Sequence, residues 1–179
     1  VCRPLSRRFV KSAESLLKTG KDSVFKEKDI TTKDENGVEK TTKGYDTDAI
    51  YKAVSVFADD YNSVLSAAAK SKNSSVVSTA SNMVQQTVAN EKTLSRIGIT
   101  IGEDNKLSVD EKKLKAADMT TVKSMMNGNG SFAYGVQTKA SFISMYAKND
   151  QNKASGVYGS SATYTASLFS NGDIWNSFI

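Results

Sequence analysis

The chain has 179 residues, with 24 Lys and Arg against 19 Asp and Glu, a formal net charge of +5, and no histidine. Without histidine and with a single cysteine, Cys2, no Ser-His-Asp or Cys-His arrangement can form. A cysteine-histidine zinc site and an internal disulfide are excluded as well. No stretch approaches roughly 20 apolar residues, so no membrane-inserted helix is expected. The hydrophobic share of 39% lies below the usual globular figure of roughly 45–50%. That suits a helical protein with much surface for its volume, or one whose apolar stripe needs a partner.

The chain opens on Val1 rather than Met, which points to a piece cut from a longer protein, and no basic-then-apolar signal segment follows. Residues 1–43 hold 11 Lys and Arg against 7 Asp and Glu, a balance of +4. Such a segment could touch nucleic acid or an anionic surface. Its cations are interleaved with acids, however, so a solvated helix face is expected and no nucleic-acid partner.

Proline occurs once, at Pro4, which leaves the rest free to form long helices. Residues 4–27 read as a first helix with Leu5, Phe9, Ala13, Leu16 and Leu17 on one face, and Val24 and Phe25 extending it past Gly20. The segment 30–42 reads as a polar hairpin. Asn36-Gly37 is a strong turn signal because both residues tolerate positive φ. A two-residue turn there pairs Thr32 with Thr41 and Thr31 with Thr42. A long helix from about Thr47 to Lys70 follows. Its apolar residues Ile50, Val54, Phe57, Tyr61, Val64 and Ala68 are spaced 4, 3, 4, 3, 4, a heptad seam.

A third helix is expected from about Ser75 to Ser95. Val76, Ala80, Met83, Thr87 and Leu94 continue the heptad, Asn90 falls in the seam, and Val77, Val84 and Val88 widen the apolar face. The short polar connection Ser71–Ser75 makes the two helices antiparallel neighbours. Next, Ile97, Ile99 and Ile101 alternate with period two, and Leu107 and Val109 complete a second hairpin around Gly102–Lys106. Ser108-Val-Asp-Glu111 reads as a capping box for a short helix carrying Leu114 and Ala117. Asp118 caps another through Val122, Met125 and Met126, which Asn127-Gly-Asn-Gly130 ends. Ser131 opens a last helix to about Lys148 with Phe132, Val136, Ala140, Ile143 and Ala147 inward.

The fold class is therefore mainly α: an elongated antiparallel helical bundle or coiled coil with two small β-hairpins, near 30–42 and 97–109. The helical domain is placed at 1–150. Residues 151–179 form a separate tail with two charges, six serines, three glycines and five aromatics: Tyr158, Tyr164, Phe169, Trp175 and Phe178. This tail either packs back on the bundle or docks a partner.

No catalytic or metal-binding constellation emerges, and no cofactor is expected. Asp34-Glu-Asn-Gly37 and Glu103-Asp-Asn105 are acidic like calcium loops, but the twelfth position is Tyr45 or Leu114 rather than glutamate. Asp59 and Asp60 are adjacent on a helix and point about 100° apart, so a solvated face is expected. Gly128 and Gly130 lack the lysine of a phosphate loop. Met83, Met119, Met125 and Met126 read as core filler.

Three segments resemble the carboxyl-terminal helical region of the flagellar filament cap family. Asp48–Asn62, ending in Tyr61-Asn62, is similar to a family helix. Leu94–Thr100 resembles its Gly-Ile-Thr strand, and Asn105–Glu111 its turn, strand and capped helix. Together they span roughly residues 45–132. The resemblance implies a non-enzymatic, self-associating structural protein, extracellular on the bacterial flagellum and contacting flagellin or other axial proteins. Of the large β-rich outer domains of that family, the Asn36-Gly37 hairpin is the only candidate remnant. The seam Ile50, Val54, Phe57, Tyr61 and Val64 is then either a partner surface or internal core. The alternative is a secreted or surface adhesin-like module that binds through the first hairpin and the aromatic tail.

Overall fold

The computed structural model describes residues 2–33 and 39–154. The molecule is mainly helical with two small antiparallel sheets. The order is α1 (Cys2–Leu17), β1 (Glu27–Lys33), β2 (Glu39–Tyr45), α2 (Thr47–Ala68), α3 (Ser74–Ala89), α4 (Glu91–Arg96), β3 (Ile99–Ile101), β4 (Leu107–Val109), α5 (Glu111–Ala116), α6 (Met119–Met126) and α7 (Phe132–Ala154).

Four long helices, α1, α2, α3 and α7, surround one core. α1 packs closely on α2 and on α7, and α7 packs closely on α3. The approach of α2 to α3 is looser than sequence adjacency suggested. Every apolar seam residue of α2 is buried, from Ile50 to Ala68. Rings join the helices at the centre: Phe9 of α1 lies 4.9 Å from Phe57 and 6.4 Å from Tyr61 of α2, and Phe57 lies 6.2 Å from Phe132 of α7. Phe9, Phe57 and Tyr61 are fully buried there, and Ala13 and Leu16 continue the buried face of α1.

Several boundaries differ from expectation, each for a local reason. α1 ends at Leu17 rather than near 27, because Gly20 takes φ +71 and breaks the helical ladder. Phe25 is still buried, but from a turn. The third helix divides at Asn90, whose side chain donates to the Gln86 carbonyl at 2.8 Å. A side-chain amide competing for helix carbonyls favours such a break. Val88 is half-exposed instead of widening the buried face. α3 is capped by Asn73, whose Oδ1 accepts from Ser75 and Val76.

The expected capping box is replaced. Ser108 sits in β4 and meets Thr100 across the sheet at 2.7 Å. Asp110 caps α5 instead, accepting from the Lys113 amide at 2.9 Å. Glu111 accepts from Lys115 rather than reaching back. Asp118 does cap α6, Gly128 and Gly130 adopt positive φ after it, and the Ser131 hydroxyl accepts from Tyr134 at the start of α7. That last helix runs on to Ala154, past the expected end and boundary. Met83 and Met126 are fully buried, with Met119 and Met125 packed beside them.

The first hairpin forms, but its register is one residue from that expected: Thr31 faces Thr41 and Ile30 faces Thr42. The Thr31 and Thr41 hydroxyls meet at 3.1 Å. Both strands are polar, so burial scarcely specifies the register. The Asn36-Gly37 turn lies outside the described residues. Of the three alternating isoleucines before the second turn, Ile99 and Ile101 are in strand, while the buried Ile97 closes α4.

Candidate functional site

The three segments singled out in the sequence meet in space. Asn62, on α2 directly after the buried Tyr61, turns its side chain to the backbone of Leu107 in β4. Its Nδ2 donates to the Leu107 carbonyl at 2.8 Å, and its Oδ1 accepts from the Leu107 amide at 2.7 Å. A primary amide is the side chain that can donate and accept in one plane. Leu107 lies 45 positions from Asn62 along the chain, so this contact fixes the hairpin to the long helix.

Gly98 completes the joint. It has φ +83, and a Cβ there would lie 2.8 Å from the Leu114 amide nitrogen and 3.1 Å from the Asp110 carbonyl. The Gly98 carbonyl accepts from the Asp110 amide at 2.8 Å. Glycine is needed for both the left-handed backbone and the approach of α5. Asn105 holds φ 59 in the turn, with its backbone N–H donating to the Gly102 carbonyl at 2.8 Å. Lys115 then ties α5 to α2 by pairing with Asp48 at 2.5 Å, with Glu111 of its own helix also at 2.5 Å, and Asp48 is the main reason its pKa is raised.

Two further asparagines act over long range. Asn127, between α6 and α7, donates to the carbonyls of Leu16 and Lys18, satisfying the end of α1. Asn73 donates to the Tyr146 carbonyl of α7 at 3.3 Å.

The carboxylates divide unexpectedly. Asp59 is exposed, whereas Asp60 is only 2% exposed and is held by Arg8 of α1, whose Nε donates to Oδ1 at 2.5 Å. The expectation of a solvated pair is corrected for Asp60. It lies three residues after Phe57, beside the seam, and the crossing of α1 covers it. That spacing was the available signal. Asp104 pairs with Lys106, which holds its carboxyl below the usual range. Among the described residues, no three His, Cys, Asp or Glu side chains are placed to hold a metal ion. Residues 34–37 of the other acidic loop are outside those described.

Of the candidate site residues, Ile50, Val54, Phe57, Tyr61 and Val64 all lie in the core at 0–1% exposure. They are brought together with one another and with α1 and α7, and they offer no free surface. Burial pushes the Tyr61 hydroxyl up to about 12, with the Thr87 hydroxyl beside it partly offsetting the shift. Tyr158, Tyr164, Phe169, Trp175 and Phe178 lie outside the described residues. Sequence reading missed the outward face of α7, where Tyr134, Phe142 and Met145 are 40–46% exposed. No helix among the described residues is long and apolar enough to cross a membrane. No protein-family model, curated protein or solved structure matches the chain.

Proposed function

We propose that this chain is a structural protein of the bacterial flagellum, of the filament-cap type, acting outside the cell without enzymatic chemistry. In this reading it self-associates and contacts flagellin or other axial subunits. An elongated, coiled-coil-like arrangement of its helices in the assembly belongs to the same proposal. The observation that supports it is the joint just described. The Tyr61-Asn62 pair of α2, the Gly98-Ile99-Thr100 segment and the Asn105–Glu111 segment form one physical unit, held by the Asn62–Leu107 bonds and the Gly98–Asp110 contact. The resemblance thus rests on residues that act together.

Light scattering over a range of concentrations, with co-sedimentation on flagellin filaments, tests the proposal. Concentration-dependent oligomers that bind filaments are expected. A strict monomer at high concentration that stays in the supernatant while the filaments sediment would overturn it. The second reading, an adhesin-like module, has one observation in its favour: β1 and β2 stand exposed, from Lys28 to Thr31 and at Thr41, Thr42 and Lys43. Binding to glycans or host proteins that is lost on deleting this hairpin, with flagellin binding absent, would favour it.

A further inference from the structure

Half of the large apolar side chains left exposed among the described residues lie on one helix: Tyr134, Phe142 and Met145 of α7. At about 100° per residue they fall within roughly 80° of arc, opposite the buried Phe132, Val136, Ala140 and Ile143. Phe142 stacks on Tyr146, with centroids 6.5 Å apart and planes 25° apart. The outward side of a helix is ordinarily charged or polar. Here Phe142 and Met145, three residues apart, each leave 46% of their surface uncovered. Exposed apolar surface gathered in this way marks a contact site.

The chain carries a suitable occupant. α7 ends at Ala154, and 25 residues follow, 155–179. They include five aromatics, and Asp173 is their one charged residue. Phe142 lies about 18 Å back along the helix from Ala154 and Tyr134 about 30 Å, at 1.5 Å per residue. Ten residues of extended chain cover roughly 33 Å, so the stretch from 155 to Tyr164 is long enough to reach both. Tethering matters more than length. A short flexible link gives an effective concentration on the order of millimolar, so a free partner at micromolar concentration must bind about a thousandfold tighter to compete.

We propose that the outward face of α7, centred on Phe142, Met145 and Tyr146, is the docking site for the chain's own aromatic segment 155–179. This is independent of the flagellar reading, since it concerns contact within one chain.

Trp175 is the only tryptophan, so its fluorescence in the full chain reports the contact. Emission to the blue of a free indole, unchanged on dilution, is expected. Phe142→Ser with Met145→Ser should move it to the free-indole position and raise acrylamide quenching several-fold. Far-ultraviolet circular dichroism should stay the same, because both side chains are half-exposed. Tyr158→Ser with Tyr164→Ser gives a readout that does not depend on where Trp175 sits: binding of an apolar dye should rise as the α7 face is uncovered. Free-indole emission in the unaltered chain together with no gain in dye binding would overturn the proposal. A blue shift that disappears on dilution would also overturn it and assign the face to a second copy.

Discussion

Replacing Asn62 by leucine would strip both the amide and the carbonyl of Leu107 of their partner at once. An unsatisfied, partly buried polar group costs about 1–3 kcal/mol. Urea unfolding of Asn62→Leu should therefore show a loss in that range, with an unchanged slope. Gly98→Ala should be comparably harmful, about 1–3 kcal/mol for a residue forced to positive φ, since the added Cβ meets backbone atoms at 2.8 and 3.1 Å. Gly44→Ala is the control: the nearest obstacle there is the flexible end of Ile30, so denaturant midpoints should barely move. At this scale little was legible in advance. Nothing local tells that Asn62 reaches a strand 45 residues away, or that Arg8 of another helix buries Asp60. The glycine of the Gly-Ile-Thr segment was visible as a motif, but its reason, the approach of α5, is tertiary.

Helix caps decide the acid behaviour of whole elements. Lys28 and the Ala49 amide hold the Asp46 carboxyl low, and the Thr121 hydroxyl and the Thr121 and Thr120 amides do the same for Asp118. A carboxyl whose folded-state pKa is depressed stabilises the fold above its unfolded pKa of 3.8 and loses that contribution as pH falls below it. Denaturant midpoints should thus decline as pH drops below about 4. Asp118→Asn should flatten that decline while keeping α6, because asparagine caps as well as aspartate. The elements themselves were largely legible where one face is buried: the seam of α2 and the inward residues of α7 were identified from spacing alone. Boundaries were less so. Two polar strands leave the register of the first hairpin almost unspecified, and Asp110 capped α5 because Ser108 was already committed to β4.

For the molecule as a whole, the aromatic junction is the point of greatest leverage. Phe57 contacts Phe9 and Phe132 and so touches three of the four long helices. Phe57→Ala should cost about 3–5 kcal/mol, a large share of the 5–15 kcal/mol typical of a domain, and calorimetry should show one broadened, lowered transition. The neighbouring Tyr61 sets an alkaline limit. Its folded pKa of about 12 exceeds the unfolded 10.0. The stability this provides is complete below pH 10 and is lost as pH rises toward 12. Tyr61→Phe should reduce that alkaline loss, as read from melting temperatures across this range. The helical class was legible from composition and period. The pairing of helices was not, because sequence adjacency favoured α2 with α3 while the close approaches are α1–α2, α1–α7 and α3–α7.

The Asn62–Leu107 bonds have a consequence beyond stability. An unpaired strand edge is a template for addition of a foreign strand and hence for runaway association. On β4 the Leu107 amide and carbonyl are already taken by a side chain, so the edge of this three-residue strand is plugged at its first position. A foreign strand could not pair with β4 at Leu107 without displacing the Asn62 side chain. Association through that end of β4 would first have to break both Asn62 bonds.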